Sequence, residues 1–121
     1  STGPDDERDT TTPAAIVGTV LAVTLGEGLD PAGRDRLTTW LLANTTGDAT
    51  IRAGVPAGWR VGDKTGTGAR GERNDVGIVL PTDRAPLLVA VYTDPDDPGS
   101  TAGDATIAEA TAIAVRRLVG R

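Results

Sequence analysis

The order helix, helix, three strands, helix predicts an α/β sandwich in which helices pack on an antiparallel sheet. Three observations carry that reading. A capping residue is followed by proline twice in the first third of the chain, at Thr12-Pro13 and Asp30-Pro31, and proline suits the first position of a helix. From Trp59 the apolar spacing shortens from helical to strand-like, and from Thr106 it lengthens again.

Residues 1–9 are polar, with Gly3, Pro4 and an acidic run at Asp5, Asp6 and Glu7, and read as loop. Ile16, Val17, Val20, Leu21 and Leu25 then fall at helical spacing until Gly26 and Gly28. Their β-branched members also suit a strand, but the length and the cap favour a buried helix. After Asp30-Pro31, Leu37, Trp40 and Leu41 form an apolar stripe, with Arg34, Asp35 and Arg36 on the outer face. Both tryptophans, Trp40 and Trp59, read as core. The stretch from Ala49 to Pro56 is ambiguous. Strands are expected from Trp59 to Thr65, with Gly66 to Arg73 as extension and turn, then over Val76–Leu80 and Leu87–Thr93. The third is a continuous apolar run of the kind buried on both faces, and short connections make the three a meander. The final helix starts near Asp104 or Thr106, where Thr106-Ile107-Ala108-Glu109 fits a capping box. Its apolar face is Ile107, Ala110, Ala114 and Leu118, and Arg116 and Arg117 complement its C-terminal dipole. The chain therefore divides into an irregular segment 1–12, a helical segment 13–56 and a strand-and-helix segment 57–121.

Composition narrows the chemistry. Seventeen acidic against twelve basic residues give a net charge of −5 in 121 residues, which argues against nucleic acid and against an anionic membrane surface as partners. The longest apolar stretch, Ala14 to Leu25, falls short of the roughly 20 residues of a membrane span. The chain contains neither Cys nor His. Thiolate nucleophiles, Ser-His-Asp triads and zinc hydrolysis are thereby excluded within it, and no metal or cofactor is expected.

The informative segment is Gly62-Asp63-Lys64-Thr65-Gly66-Thr67-Gly68. Lys64 is the only lysine beside 11 arginines. An arbitrary strand lysine is usually a solvated one, but two hydroxyls and two glycines follow this one, and strand glycines mark close approach of a backbone or ligand. Gly66-Thr67-Gly68-Ala69-Arg70-Gly71 satisfies the dinucleotide-binding spacing, yet strand rather than helix follows it, so that reading is weak. A phosphate loop fails because Asp63 separates Gly62 from Lys64.

Lys-Thr-Gly on a strand is a signature element of serine β-lactamases and penicillin-binding proteins. The resemblance runs further: Asp5 to Pro13 is similar to the end of the omega loop of class A β-lactamases, and Leu37-Thr38-Thr39-Trp40-Leu41, Pro56-Ala57-Gly58-Trp59 and Asp63 to Gly68 match in order and spacing. The chain thus resembles the C-terminal part of a class A enzyme, with the α/β sandwich of the β-lactamase and transpeptidase type and residues 1–12 as the end of its omega loop. It departs from the family in lacking Ser-x-x-Lys, since Ser1 and Ser100 are its only serines and neither has Lys three residues on. It lacks Ser-Asp-Asn and the omega-loop glutamate as well, and Ser1 would follow that loop's Glu-x-x-x-Asn directly. The resemblance therefore implies an N-terminal part, on a second chain or a preceding segment, that supplies the nucleophile, and inactivity without it.

By resemblance, Lys64 is a fixed positive charge beside the missing serine, and the backbone N–H of Thr67 is one oxyanion donor. Thr65 and Thr67 would bind the carboxylate of a β-lactam substrate, with Gly66 and Gly68 leaving the strand open to it. Arg73 matches the family's carboxylate-binding arginine. Some members use another, two residues before the position of Arg52, where this chain has Thr50, so Arg52 is a structural or secondary candidate. Asp9 matches an omega-loop aspartate of structural role whose arginine partner would precede Ser1. Location in the periplasm or cell envelope, or secretion, is implied by the resemblance alone. The alternatives are a penicillin-binding DD-peptidase fragment, which the match at Arg8-Asp9-Thr10 disfavours, and a non-catalytic complementing fragment.

Overall fold

Both prolines open helices where local chemistry demands. In α1 (Pro13–Thr24) the Thr12 hydroxyl accepts from the Ala15 N–H at 3.1 Å, and in α2 (Pro31–Leu42) the Asp30 carboxylate accepts from the Gly33 N–H at 2.7 Å. The computed structural model describes residues 5–120. Residues 1–4, and with them the expectation attached to Ser1, lie outside the described residues.

Within the ambiguous stretch a short helix forms, α3 (Ile51–Gly54). Tertiary packing rather than propensity makes it possible. A Cβ at position 54 would run into the Ala108 carbonyl oxygen and come within 2.7 Å of Thr111 Cβ, so only glycine lets α3 lie this close to the last helix.

Strands β1 (Arg60–Thr67), β2 (Arg73–Leu80) and β3 (Leu87–Thr93) form an antiparallel sheet in the order β1-β2-β3. β2 starts at Arg73, three residues before the expected Val76. Arg73 pairs with Thr67 on one side and Thr93 on the other, and its N–H donates to the Thr93 hydroxyl at 3.0 Å. The β1–β2 connection is tight because Gly71 adopts φ 82° and the Gly68 N–H donates to the Glu72 carbonyl at 2.9 Å. β3 is only partly buried along its whole length, not buried on both faces as its apolar run suggests, because it forms an edge of the sheet.

α4 (Gly103–Val119) begins earlier than its capping box. Ala102 stands at its N-cap with no side-chain bond, and Thr106 already donates its N–H to the Ala102 carbonyl within the first turn. Its buried stripe is Ile107, Thr111 and Val115, and Leu118, expected on that stripe, is 61% exposed.

Register puts Val61, Asp63, Thr65 and Thr67 on one face of the sheet with Arg73, Asp75, Gly77 and Val79 and with Leu87, Val89, Val91 and Thr93. α3 and α4 cover this face, and the core sits there: Ile51, Val61, Val79 and Ile107, with Val55, Trp59, Leu87, Val89 and Val91 against them. Each large apolar side chain so enclosed contributes roughly 1.5–3 kcal/mol. α2 lies on the opposite face, where a Cβ at Gly62 would come within 3.0 Å of Leu41 Cβ. Trp59 is core-packed as expected, whereas Trp40 is 65% exposed on the outer side of α2. α1 was also expected to be buried, but Thr24 is its only buried residue and Leu21 and Leu25 are exposed. It packs on β2, β3 and α2 along one flank, which leaves Ile16, Val17, Val20 and Val23 only partly buried. An apolar trough of about 630 Å³ runs beside β3 between α1 and α4, lined among others by Val17, Leu88, Tyr92, Ala114 and Leu118.

Candidate active site

Residues of an antiparallel strand alternate between bonding the neighbouring strand and pointing their N–H and C=O away from it. The bond from the Gly68 N–H to Glu72 fixes that phase at the end of β1. Gly68 and Gly66 face β2, so Thr67 and Thr65 turn their backbone groups outward from the free edge of the sheet. This edge orientation has a visible occupant: Lys64 Nζ reaches over it to the outward carbonyl of Thr65 at 2.6 Å. Lys64 itself is exposed and lies on the face opposite the two threonines, as strand alternation requires.

The face of Thr65 and Thr67 gathers the remaining polar groups. The hydroxyls of Thr65 and Thr46 share a hydrogen bond of 2.6 Å. Arg73 spans the cluster, donating from Nε to Asp104 at 2.7 Å, from Nη1 to the Thr67 hydroxyl at 2.9 Å and from Nη2 to the Thr46 carbonyl at 2.9 Å. Those three bonds leave two of the five guanidinium N–H groups for an incoming anion. A Cβ at Gly103 would collide with the Arg73 side chain, at 3.0 Å from Cγ, so this glycine makes room for the arginine beside α4. A cleft of about 190 Å³ opens here, walled by Thr67, Arg73, Ser100, Thr101 and Asp104.

The two glycines of the motif differ in their surroundings. Only Asn74 Cβ, at 3.9 Å, lies near the missing side chain of Gly66, whereas the space beside Gly68 is taken by the Glu72 side chain, whose carboxylate also accepts the Arg70 N–H at 2.8 Å. Arg52 is turned inward, away from the cleft. Its Nη2 pairs with the buried Asp63 at 2.9 Å and donates to the Leu41 carbonyl at 3.2 Å, and its Nη1 donates to Asp48 at 3.1 Å and to the Asn44 carbonyl. It closes the C-terminus of α2 and neutralises a core carboxylate, which is a structural task. Asp9 is exposed, in the left-handed region at φ 58°, far in sequence from the motif, while the neighbouring Arg8 pairs with Asp6 at 2.7 Å.

Sequence reasoning missed Thr46 and Asp104, which anchor the side chains of Thr65 and Arg73, and the buried carboxylates Asp63 and Asp75. The last two carried a signal. Asp63 shares the inward face of Val61, and an acidic residue at an inward strand position demands a partner.

A family model described as "Beta-lactamase enzyme family" matches residues 1–118 of the chain. The chain is 49% identical over 115 residues to the β-lactamase FAR-1 of Nocardia farcinica, covering 95% of this chain and 37% of that one. It is 47% identical over 116 residues to an imipenem-hydrolysing β-lactamase of Enterobacter cloacae, covering 95% and 40%. Among solved structures, a class A β-lactamase from Mycobacterium abscessus superposes with a TM-score of 0.93 at 53% identity, over 96% of this chain and 45% of that one. The chain spans less than half the length of these relatives.

Proposed function

Because the chain belongs to the beta-lactamase enzyme family and matches its class A members through their C-terminal portion, we propose that it supplies the oxyanion and carboxylate side of a serine hydrolase that opens the β-lactam ring. A serine hydroxyl from the N-terminal portion adds to the lactam carbonyl, the ring C–N bond breaks with a proton passing to nitrogen, and water releases the acyl group. This chain contributes no nucleophile. The observation that carries the reading is the outward N–H of Thr67 at the free edge of β1, on the same residue whose hydroxyl accepts from Arg73 and three residues from Lys64. A preorganised N–H there stabilises the developing oxyanion. Lys64 holds positive charge on the other face of the same strand, and Thr65, Thr67 and Arg73 take the substrate carboxylate. Asp9 belongs to the end of the omega loop and has a structural part. Without its N-terminal portion the chain is inactive, and export to the cell envelope or beyond belongs to the same reading. No helix among the described residues is long and apolar enough to cross a membrane.

Native mass spectrometry of this chain mixed with the N-terminal portion of a class A relative, before and after adding a penicillin, tests the proposal. A one-to-one complex in which the added polypeptide gains the mass of one drug molecule is the expected result. Absence of any adduct on a complex that forms would overturn it.

Arg73→Ala should raise KM for a penicillin about 10- to 100-fold with a smaller effect on kcat, the size expected for one charge-assisted bond of roughly 1.5–3 kcal/mol. Steady-state kinetics of the assembled protein check it. An unchanged KM would assign the carboxylate to another group.

A further inference from the structure

Two carboxylic acids lie side by side beneath the Lys64–Thr67 edge. Asp63 on β1 and Asp75 on β2 share the core-facing side of the sheet as diagonal neighbours, since Asp63 pairs with Gly77 and Asp75 with Thr65. Both are 0% exposed. One oxygen of each is fully committed. Asp63 Oδ1 takes the Arg52 guanidinium at 2.9 Å and the Asn44 amide at 3.1 Å. Asp75 Oδ2 takes the Thr50 hydroxyl at 2.6 Å and the Ile51 N–H at 3.2 Å. The other two, Asp63 Oδ2 and Asp75 Oδ1, are buried and receive no donor from any other residue. Ionised carboxylates only accept, so two of them in contact with no donor between them is an arrangement that costs several kcal/mol of desolvation and repulsion.

The packing around Asp63 is tight. The backbone of Gly47 lies so close over Asp63 Oδ2 that even a Cβ there would overlap it, and a Cβ at Gly77 would come within 2.9 Å of Asp63 Cβ. A single proton resolves the conflict. It turns one orphan oxygen into a donor for the other, and it leaves the pair with one negative charge opposite the one positive charge of Arg52.

We propose that Asp63 and Asp75 share one proton as a buried carboxylic acid–carboxylate pair, and that this pair is a positioning device that clamps β1 to β2 directly behind Lys64 and Thr65. The proposal deepens the reading of β1 as the oxyanion and carboxylate edge, and its positioning part rests on that reading. Thr65 is the register partner of Asp75, and Lys64 lies between Asp63 and Thr65. A separation of the carboxyls on losing the proton is therefore transmitted through two peptide units to the outward N–H of Thr67. Burial, followed by the bond with Asp63, pushes the Asp75 carboxyl up from 3.8 to about 7. The other charged groups around the pair are Asp48 on the outer side of the Arg52 guanidinium, Lys64 on the opposite face of β1, and Arg73, two residues from Asp75 on the same face of β2, with Asp104 at the start of α4. Each of the last three is engaged with its own partner.

The sign of the pH dependence follows. The folded protein keeps a proton that the unfolded chain releases, so the contribution of Asp75 to stability is full below the ordinary carboxylate range and is lost as pH rises from about 3.8 through about 7. NMR titration of the aspartate side-chain carboxyl carbons in the assembled protein tests the pair without reference to turnover. One carboxyl carbon should titrate with its midpoint near 7, and the backbone amide shifts of Thr65 and Thr67 should move with the same midpoint. Asp75→Asn, which fixes a donor toward Asp63, should abolish that titration, flatten the pH dependence of the denaturant midpoint and keep the midpoint high, whereas Asp75→Ala, which offers no donor, should abolish the titration and lower the midpoint at every pH. Penicillin kcat/KM should fall across the same window in the wild type and stay flat in Asp75→Asn.

A wild type whose aspartates all titrate in the ordinary range overturns the proposal, and that measurement needs no variant to fold. A pair that titrates while the Thr65 and Thr67 amides stay fixed overturns its positioning part. Titration with coupled amides but no turnover supports the pair and counts instead against the hydrolase reading. Turnover without the titration does the reverse.

Discussion

Replacing Arg52 by methionine is expected to lower stability by about 3–5 kcal/mol, the range for removing one partner of a buried ion pair. The side chain fills similar volume, so the loss is electrostatic rather than a cavity. Asp63 has 0% exposure, and Arg52 is the cation against it, at 2.9 Å. The same guanidinium also closes the end of α2 through the Leu41, Leu42 and Asn44 carbonyls, so those acceptors lose a donor together. Asp63→Asn in the Arg52→Met background should recover part of the loss, because it removes the stranded charge and keeps the shape. Denaturant unfolding of the assembled protein measures both. A loss under about 1 kcal/mol for the single variant would mean that the pair behaves like an exposed one.

Lys64→Ala is expected to leave stability nearly unchanged and to lower kcat/KM for penicillins about 10²–10³-fold, the scale on which one preorganised electrostatic group acts. The asymmetry comes from its position. Lys64 is exposed, and its one bond is to the carbonyl of the next residue, so folding gains little from it. Its charge, by contrast, sits on the only strand edge that presents the Thr67 N–H. Lys64→Arg should retain part of the rate, since charge survives but the compact ammonium does not. Comparison of initial rates with the denaturation midpoint separates the two effects. A variant that loses stability and rate in parallel would relegate Lys64 to a packing role.

These two residues illustrate what was legible in the sequence. Lys64 announces itself because its chemistry is local: a lone lysine ahead of alternating glycines and hydroxyls. The helix starts at Thr12 and Asp30 were legible for the same reason, since cap and proline are adjacent in sequence. Arg52 read as a structural or secondary candidate without a named partner, because nothing in Ile51-Arg52-Ala53-Gly54 foretells that Asp63, eleven residues on, and the end of α2 converge on it. α3 escaped notice because four residues carry no period, and its existence depends on Gly54 fitting against α4. Trp40 and Leu118 misled because an apolar stripe marks a face without saying whether anything covers it. The same holds for α4, whose covered face is turned by about one position from the expected stripe and includes the polar Thr111.

β3 carries a consequence for how such a chain behaves in solution. One side of this strand is paired with β2, and among the described residues no strand pairs with the other, which runs beside an apolar trough. Seven consecutive residues, Leu-Leu-Val-Ala-Val-Tyr-Thr, without charge or proline to blunt them, form a template for whatever extended backbone arrives first. Concentration then becomes a choice between fates: dilute chains persist long enough to meet a complementary strand, and crowded ones zip to each other and precipitate. Light scattering of the chain should therefore rise steeply with its concentration.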